Sequence, residues 1–141
     1  MSDTPPYLFV YGTLRRASGH AMSRSLTARG RLVGGGSVPG RLYDLGAYPG
    51  MVDAADEGER VRGEVYELDE PEATLTALDR YEGCGPEDPR PWLYERRLAA
   101  VTLGGGGRLS AWVYLYRGPL TGARHIPSGD YLLALPPDAG P

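Results

Sequence analysis

The chain has one cysteine, Cys84, and two histidines, His20 and His125. A lone cysteine cannot close an intramolecular disulfide, so a reducing, cytoplasmic setting is expected. Three such residues far apart in 141 positions argue against a structural zinc site, and no metal is expected. A surplus of positive charge is also missing. The formal net charge is -3, which argues against a general nucleic-acid or anionic-membrane binder. No stretch approaches the roughly 20 apolar residues that span a bilayer. No basic-then-apolar leader opens the chain, so secretion is not expected.

What the chain does have is 21 glycines and 13 prolines, the mark of many turns and short strands. Its 41% hydrophobic and 23% charged residues are those of an ordinary globular protein. A length of 141 residues predicts one domain over 1–141 with a core that needs no cross-links. The ends, 1–6 and 136–141, are expected to be flexible.

The first segment of interest is Tyr7-Leu8-Phe9-Val10-Tyr11-Gly12-Thr13-Leu14. Its apolar, aromatic and β-branched start reads as a buried strand. It breaks at Gly12, where a missing Cβ lets a ligand approach the backbone and free N–H groups can hold an anion or oxyanion. A first core strand followed by a plain turn explains the same residues. After a polar loop with His20, Ala21 to Arg29 has the spacing of a short helix closed by Gly30. Arg31 to Leu45, interrupted by Gly34-Gly35-Gly36 and Pro39-Gly40, predicts two strands or one sharply bent strand. Such bending favours a small barrel or curled sheet. Tyr48-Pro49-Gly50 is a turn signal. Tyr48 either lines a pocket or caps the barrel end. The acidic stretch 53–60 reads as a solvated hairpin tip.

Val61 to Leu68 reads as a strand. A helix follows, with Asp69 as N-cap, Pro71 in its first turn, Glu72 completing a capping box, and Gly83 as its stop. Leu75 and Leu78, extended through Tyr81, form its apolar stripe. Glu82, seven residues after Leu75 and four after Leu78, lies on that stripe, whereas Asp79 and Arg80 are expected to face solvent. A carboxylate on the buried face, at the negative end of the helix dipole, is disfavoured as an anion. Its pKa should rise towards neutrality, which suits a general acid or base. Pairing with an arginine, or fraying of the helix end, is the other outcome. Cys84 adjoins Glu82, but no histidine is placed to activate it, so it is expected to be passive. Trp92 to Leu103 and Arg108 to Tyr116 form a hairpin about Gly104 to Gly107. Its second strand has Trp112, Tyr114 and Tyr116 on one face and Ala111, Val113 and Leu115 on the other. Two apolar faces imply a strand buried on both sides, and the tyrosine face either lines a ligand cavity or packs a helix. Ser128 to Tyr131 reads as a turn with a local side-chain hydrogen bond.

Two separated motifs, Phe9-Val10-Tyr11-Gly12-Thr13-Leu14 and Leu78-Asp79-Arg80-Tyr81-Glu82-Gly83, together resemble the gamma-glutamylcyclotransferase-like superfamily, and its gamma-glutamylamine cyclotransferase-like branch in particular. Gly40 to Tyr48, Tyr94-Glu95-Arg96, Trp112-Val113-Tyr114 and Ser128 to Tyr131 fit the same resemblance, which runs from Tyr7 to about Tyr131. The resemblance implies an α+β fold: a small mixed β-barrel with flanking short helices and a cavity at one end. It further implies conversion of a γ-glutamyl amine or γ-glutamyl amino acid to 5-oxoproline and free amine. Glu82 would be the catalytic acid–base group, and Tyr11, Gly12, Thr13 and Leu14, with Tyr48, Tyr94 and Tyr116, would bind substrate. The implied partner is a small γ-glutamyl molecule, with no cofactor, nucleic acid or membrane, and the protein would be a monomer or homodimer. A non-catalytic ligand-binding domain using the same cavity is the alternative from a different class.

Overall fold

The computed structural model describes residues 4–11, 30–46, 49–56 and 58–131. In chain order the elements are β1 (Tyr7–Val10), β2 (Gly30–Pro39), β3 (Arg41–Asp44), β4 (Pro49–Val52), β5 (Arg60–Leu68), α1 (Pro71–Glu82), β6 (Tyr94–Leu103), β7 (Arg108–Tyr116) and β8 (Arg124–His125). Five strands close a barrel in the order β1-β5-β2-β6-β7, and β4-β3-β8 form a smaller sheet. The barrel is mixed. β1 pairs antiparallel with β5 but parallel with β7, through Leu8 and Trp112. The protein therefore has the α+β architecture of a small mixed barrel with a flanking helix. The helix expected over Ala21 to Arg29 lies outside the described residues.

Strand alternation divides the core into two layers. Phe9, Val61, Val65, Val101, Ala111 and Val113 fill the barrel. Leu8, Val10, Tyr66, Tyr94, Tyr114 and Tyr116 point outward and meet Leu75 and Leu78 of α1. This is why β7 is apolar on both faces: one lines the barrel and the other carries the helix. Each α1 leucine is 2% exposed, a burial that stabilises by roughly 1.5–3 kcal/mol per side chain. The bend expected in the Arg31–Leu45 stretch is resolved into β2 and β3, with a register shift between Leu32 and Gly34.

Several local expectations change. Glu70, not Asp69, is the N-cap of α1, and no side chain caps the helix; Pro71, which lacks an N–H, occupies the first turn. Tyr81 is 47% exposed rather than part of the stripe. The turn at Pro49-Gly50 opens directly into β4, a strand short enough to look like part of the turn. The acidic loop after β4 is not a free hairpin tip. Glu59 accepts the N–H groups of Ala55 and Asp56 and the Nε–H of Arg41, so its carboxylate organises the loop. The N-terminal leader is held from Thr4 onward: Pro5 O accepts the Trp112 indole N–H and Pro6 O accepts the Leu68 N–H.

Candidate active site around Glu82

Glu82 is the last residue of α1. Gly83 follows in the left-handed conformation, with φ 75°, which glycine adopts without a Cβ penalty. The Gly83 and Cys84 N–H groups turn back to Arg80 O and Asp79 O. The donors nearest in sequence are thereby consumed by the helix end, and none reaches the Glu82 carboxylate. Glu82 is half-buried and has neither a hydrogen-bond nor an ion-pair partner among the described residues. Burial pushes its pKa up to about 7. Desolvation accounts for the shift expected from the sequence.

Three residues earlier, Asp79 is in a different position from the one its sequence suggested. It does not face solvent. Arg96 donates Nε–H to its Oδ1 at 2.8 Å and an Nη2–H to its Oδ2 at 3.1 Å, and the Tyr114 hydroxyl donates to Oδ1 at 2.7 Å. Arg96 also lies over the Trp112 ring, 4.3 Å from its centroid. The cluster follows from register. Arg96 pairs with Tyr114 across β6 and β7, so both side chains emerge on the helix-facing side of the barrel. Asp79 comes four residues after Leu75, so the same spacing that puts Glu82 on the inner face could have put Asp79 there too.

Tyr11 ends β1 inside the core, 6% exposed. Its hydroxyl donates to Tyr114 O at 2.6 Å and accepts the Met51 N–H at 3.2 Å, tying β1 to both β7 and β4. Burial chiefly raises its pKa well above the usual phenol range. The Met51 N–H opposes this and the charge of Glu82 adds to it. Tyr94 donates to Pro49 O at 2.7 Å and Tyr116 to Pro119 O at 2.9 Å, and the two rings meet edge-on with centroids 5.5 Å apart. What these tyrosines offer a ligand is ring surface and oxygen lone pairs, because their protons are committed to the backbone. Gly12, Thr13, Leu14 and Tyr48 lie outside the described residues, as does His20.

Cys84 is buried, with Sγ 4.0 Å from Asp79 Oδ1. Burial, then the charges of Asp79 and Glu82, push its thiol pKa up to about 11. A thiol in that state is a poor nucleophile at neutral pH. Among the described residues no group of three or more His, Cys, Asp or Glu side chains is placed to hold a metal ion. No helix among them is long and apolar enough to cross a membrane.

A small mixed barrel with a helix packed on its outer face is the fold of the gamma-glutamylcyclotransferase-like class. The chain belongs to the family described as gamma-glutamyl cyclotransferase, AIG2-like, whose model matches residues 8–133. It is 39% identical over 128 residues to the gamma-glutamylcyclotransferase family protein YtfP of Escherichia coli K12, covering 89% of this chain and 95% of that protein. It is 39% identical over 114 residues to the gamma-L-glutamyl-butirosin B gamma-glutamyl cyclotransferase of Niallia circulans, covering 79% of this chain and 67% of that protein. The solution structure of Escherichia coli ytfP superposes with a TM-score of 0.60 at 35% identity, covering 89% of this chain and 96% of that one.

Proposed function

We propose that the protein is a cyclotransferase-type enzyme that converts a γ-glutamyl amine or γ-glutamyl amino acid to 5-oxoproline and releases the free amine. The free α-amine of the glutamyl group attacks its own γ-carbonyl. A C–N bond forms, the five-membered lactam closes, and the original amide C–N bond breaks. Because nucleophile and electrophile belong to one molecule, the substrate itself supplies proximity. What remains for the protein is a proton carrier and a cradle for the developing oxyanion.

Glu82 is the carrier in this reading. As a carboxylate it takes a proton from the α-ammonium, and as a carboxylic acid it hands that proton to the departing amine. Both steps need a group whose pKa lies near the working pH, and a value of about 7 meets that need. The observation that carries the proposal is this half-buried carboxylate at the end of α1, with no partner among the described residues. The backbone N–H groups of Gly12 to Leu14 are proposed as the cradle. The name of the Niallia circulans relative, a γ-glutamyl cyclotransferase for γ-L-glutamyl-butirosin B, supports a γ-glutamyl amide as substrate class.

The test is incubation of the protein with a panel of γ-glutamyl amines and γ-glutamyl amino acids, with 5-oxoproline and free amine measured together. Equimolar release of both, lost in Glu82→Gln, is the expected result. Binding of a panel member without release of 5-oxoproline would instead identify a ligand-binding domain, and full activity of Glu82→Gln would remove Glu82 from the mechanism.

A further inference from the structure

Away from Glu82 there is a cleft of about 450 Å³. That size falls within the range of small-molecule sites. Its wall runs from Ser37 at the end of β2 through Arg41, the Glu59–Arg62 segment and His125 to the Pro127-Ser128-Gly129 turn. None of the residues that contact Asp79, and neither Tyr11 nor Glu82, lines it.

The electrostatics of this cleft are uneven. Arg41 is matched by Glu59, with its Nε 2.8 Å from Oε2, and by Asp56 at 3.6 Å. Glu59 is in turn saturated: Oε1 accepts two backbone N–H groups, and His125 Nε2 lies 3.7 Å from Oε2. Arg60 is held differently. Among the described residues its guanidinium donates to neutral oxygens alone, Ser37 Oγ at 2.7 Å, Ser37 O at 2.9 Å and Thr102 Oγ1 at 3.3 Å. These bonds fix its orientation, and no described carboxylate is paired with it. Arg62, two residues on along β5 and therefore on the same face, has no side-chain partner among the described residues. Two guanidinium groups with no carboxylate partner among the described residues thus share one face of one strand, in a chain whose formal net charge is -3.

The floor of the cleft is rigid. Gly129 has φ 70° and is pressed so closely against the Arg60 carbonyl that a Cβ would overlap it. Gly129 O accepts the Arg62 N–H at 2.7 Å, and the Asp130 N–H bonds Ser128 Oγ at 3.2 Å. Arg60 keeps Nη1 to donate outward, and the Arg62 fork, with no side-chain partner among the described residues, can meet a phosphate or carboxylate oxyanion through paired N–H donors.

We infer that this cleft is a second ligand site, taking a small molecule that carries a doubly charged oxyanion group against Arg60 and Arg62. None of Tyr11, Glu82, Tyr94 and Tyr116 lines it. The ligand's own chemistry, phosphate or dicarboxylate, is set by the experiment's arms.

The test is an NMR titration of the full chain at low salt with inorganic pyrophosphate in one arm and succinate in the other, following arginine Nε–H and backbone amide signals. Saturable shifts confined to Arg60, Arg62, Ile126 and Gly129 in at least one arm are expected. Arg60→Gln/Arg62→Gln should weaken that binding at least tenfold, whereas Glu82→Gln should leave it unchanged. Arg62→Gln alone removes no side-chain hydrogen bond among the described residues and should weaken binding at least threefold, so the idea is testable even if the double variant unfolds. Shifts in both arms that grow linearly and spread over all arginines, or saturable binding untouched by Arg62→Gln, would overturn the inference.

Discussion

Asp79 and Glu82 are carboxylates three residues apart on one helix, and they differ in almost everything but charge. Asp79 is enclosed by a bidentate arginine and a tyrosine hydroxyl. Glu82 is half-buried with no partner among the described residues, and burial alone accounts for its pKa of about 7. Asp79 serves as a brace joining α1 to β6 and β7. Glu82 is the group proposed above to exchange a proton at neutral pH. The difference teaches that a carboxylate's surroundings decide its role, since one helix supplies a tightly paired carboxylate at one position and a desolvated one at the next turn.

The strongest way to break this contrast is Glu82→Gln. If Glu82 carries the proton, turnover falls about 10²–10⁴-fold while the fold and ligand binding persist. Steady-state kinetics and a thermal melt of the same sample check both halves.

The pH dependence comes next. Glu82 holds its proton more tightly folded than unfolded, with a folded pKa of about 7 against an ordinary 4.5. The folded protein therefore binds more protons between these values, and stability declines as pH rises from about 4.5 to about 7, then levels off. The full penalty is at most about 3 kcal/mol. Urea unfolding from pH 4 to 8 should show this slope in the wild type and a smaller one in Glu82→Gln. The acidic limb of kcat/KM should fall near pH 7; a limb near pH 4 would mark Glu82 as an ordinary solvated carboxylate.

On the other side of the comparison, Arg96→Met should destabilise by about 2 kcal/mol. It strips a charged hydrogen-bond partner from a partly buried carboxylate and removes the stack on Trp112. Chemical denaturation measures this, and an unchanged midpoint would show that the brace carries no weight. The smallest effect is expected at Cys84→Ser, because the thiol is neutral and Asp79 is already satisfied. Activity should stay within about twofold, and a trapped thioester in the wild type would revive a nucleophilic cysteine.

Much of this was legible in local pattern. Leu75, Leu78 and Gly83 defined the buried face and end of α1, and the two apolar faces of Arg108 to Tyr116 announced a strand buried on both sides. Glu82 could be found because its spacing to those leucines is a property of the helix alone. The Asp79 brace could not be found that way. Its arginine lies 17 positions later, and only the β6–β7 register turns Arg96 and Tyr114 towards it. The hydroxyl partners of Tyr11 and Tyr94 are backbone atoms on other elements, and that of Tyr116 is Pro119 O in the loop after its own strand, which side-chain periodicity does not report. The lack of a described carboxylate at Arg60 and Arg62 was equally hidden, since it depends on which acceptors surround each guanidinium. Strand β4 was missed because four residues beginning with proline look like the turn they leave.

The bond from the Tyr11 hydroxyl to the Tyr114 carbonyl joins positions 103 residues apart. Its consequence concerns biogenesis. A ribosome adding about 5–20 residues per second needs roughly 5–20 s to make the intervening chain. For that interval the apolar strand Tyr7–Val10 exists without its parallel neighbour, and the barrel cannot close until β7 has emerged. The first strand to be made is among the last to be completed in the sheet, so newborn chains depend on that waiting strand staying soluble.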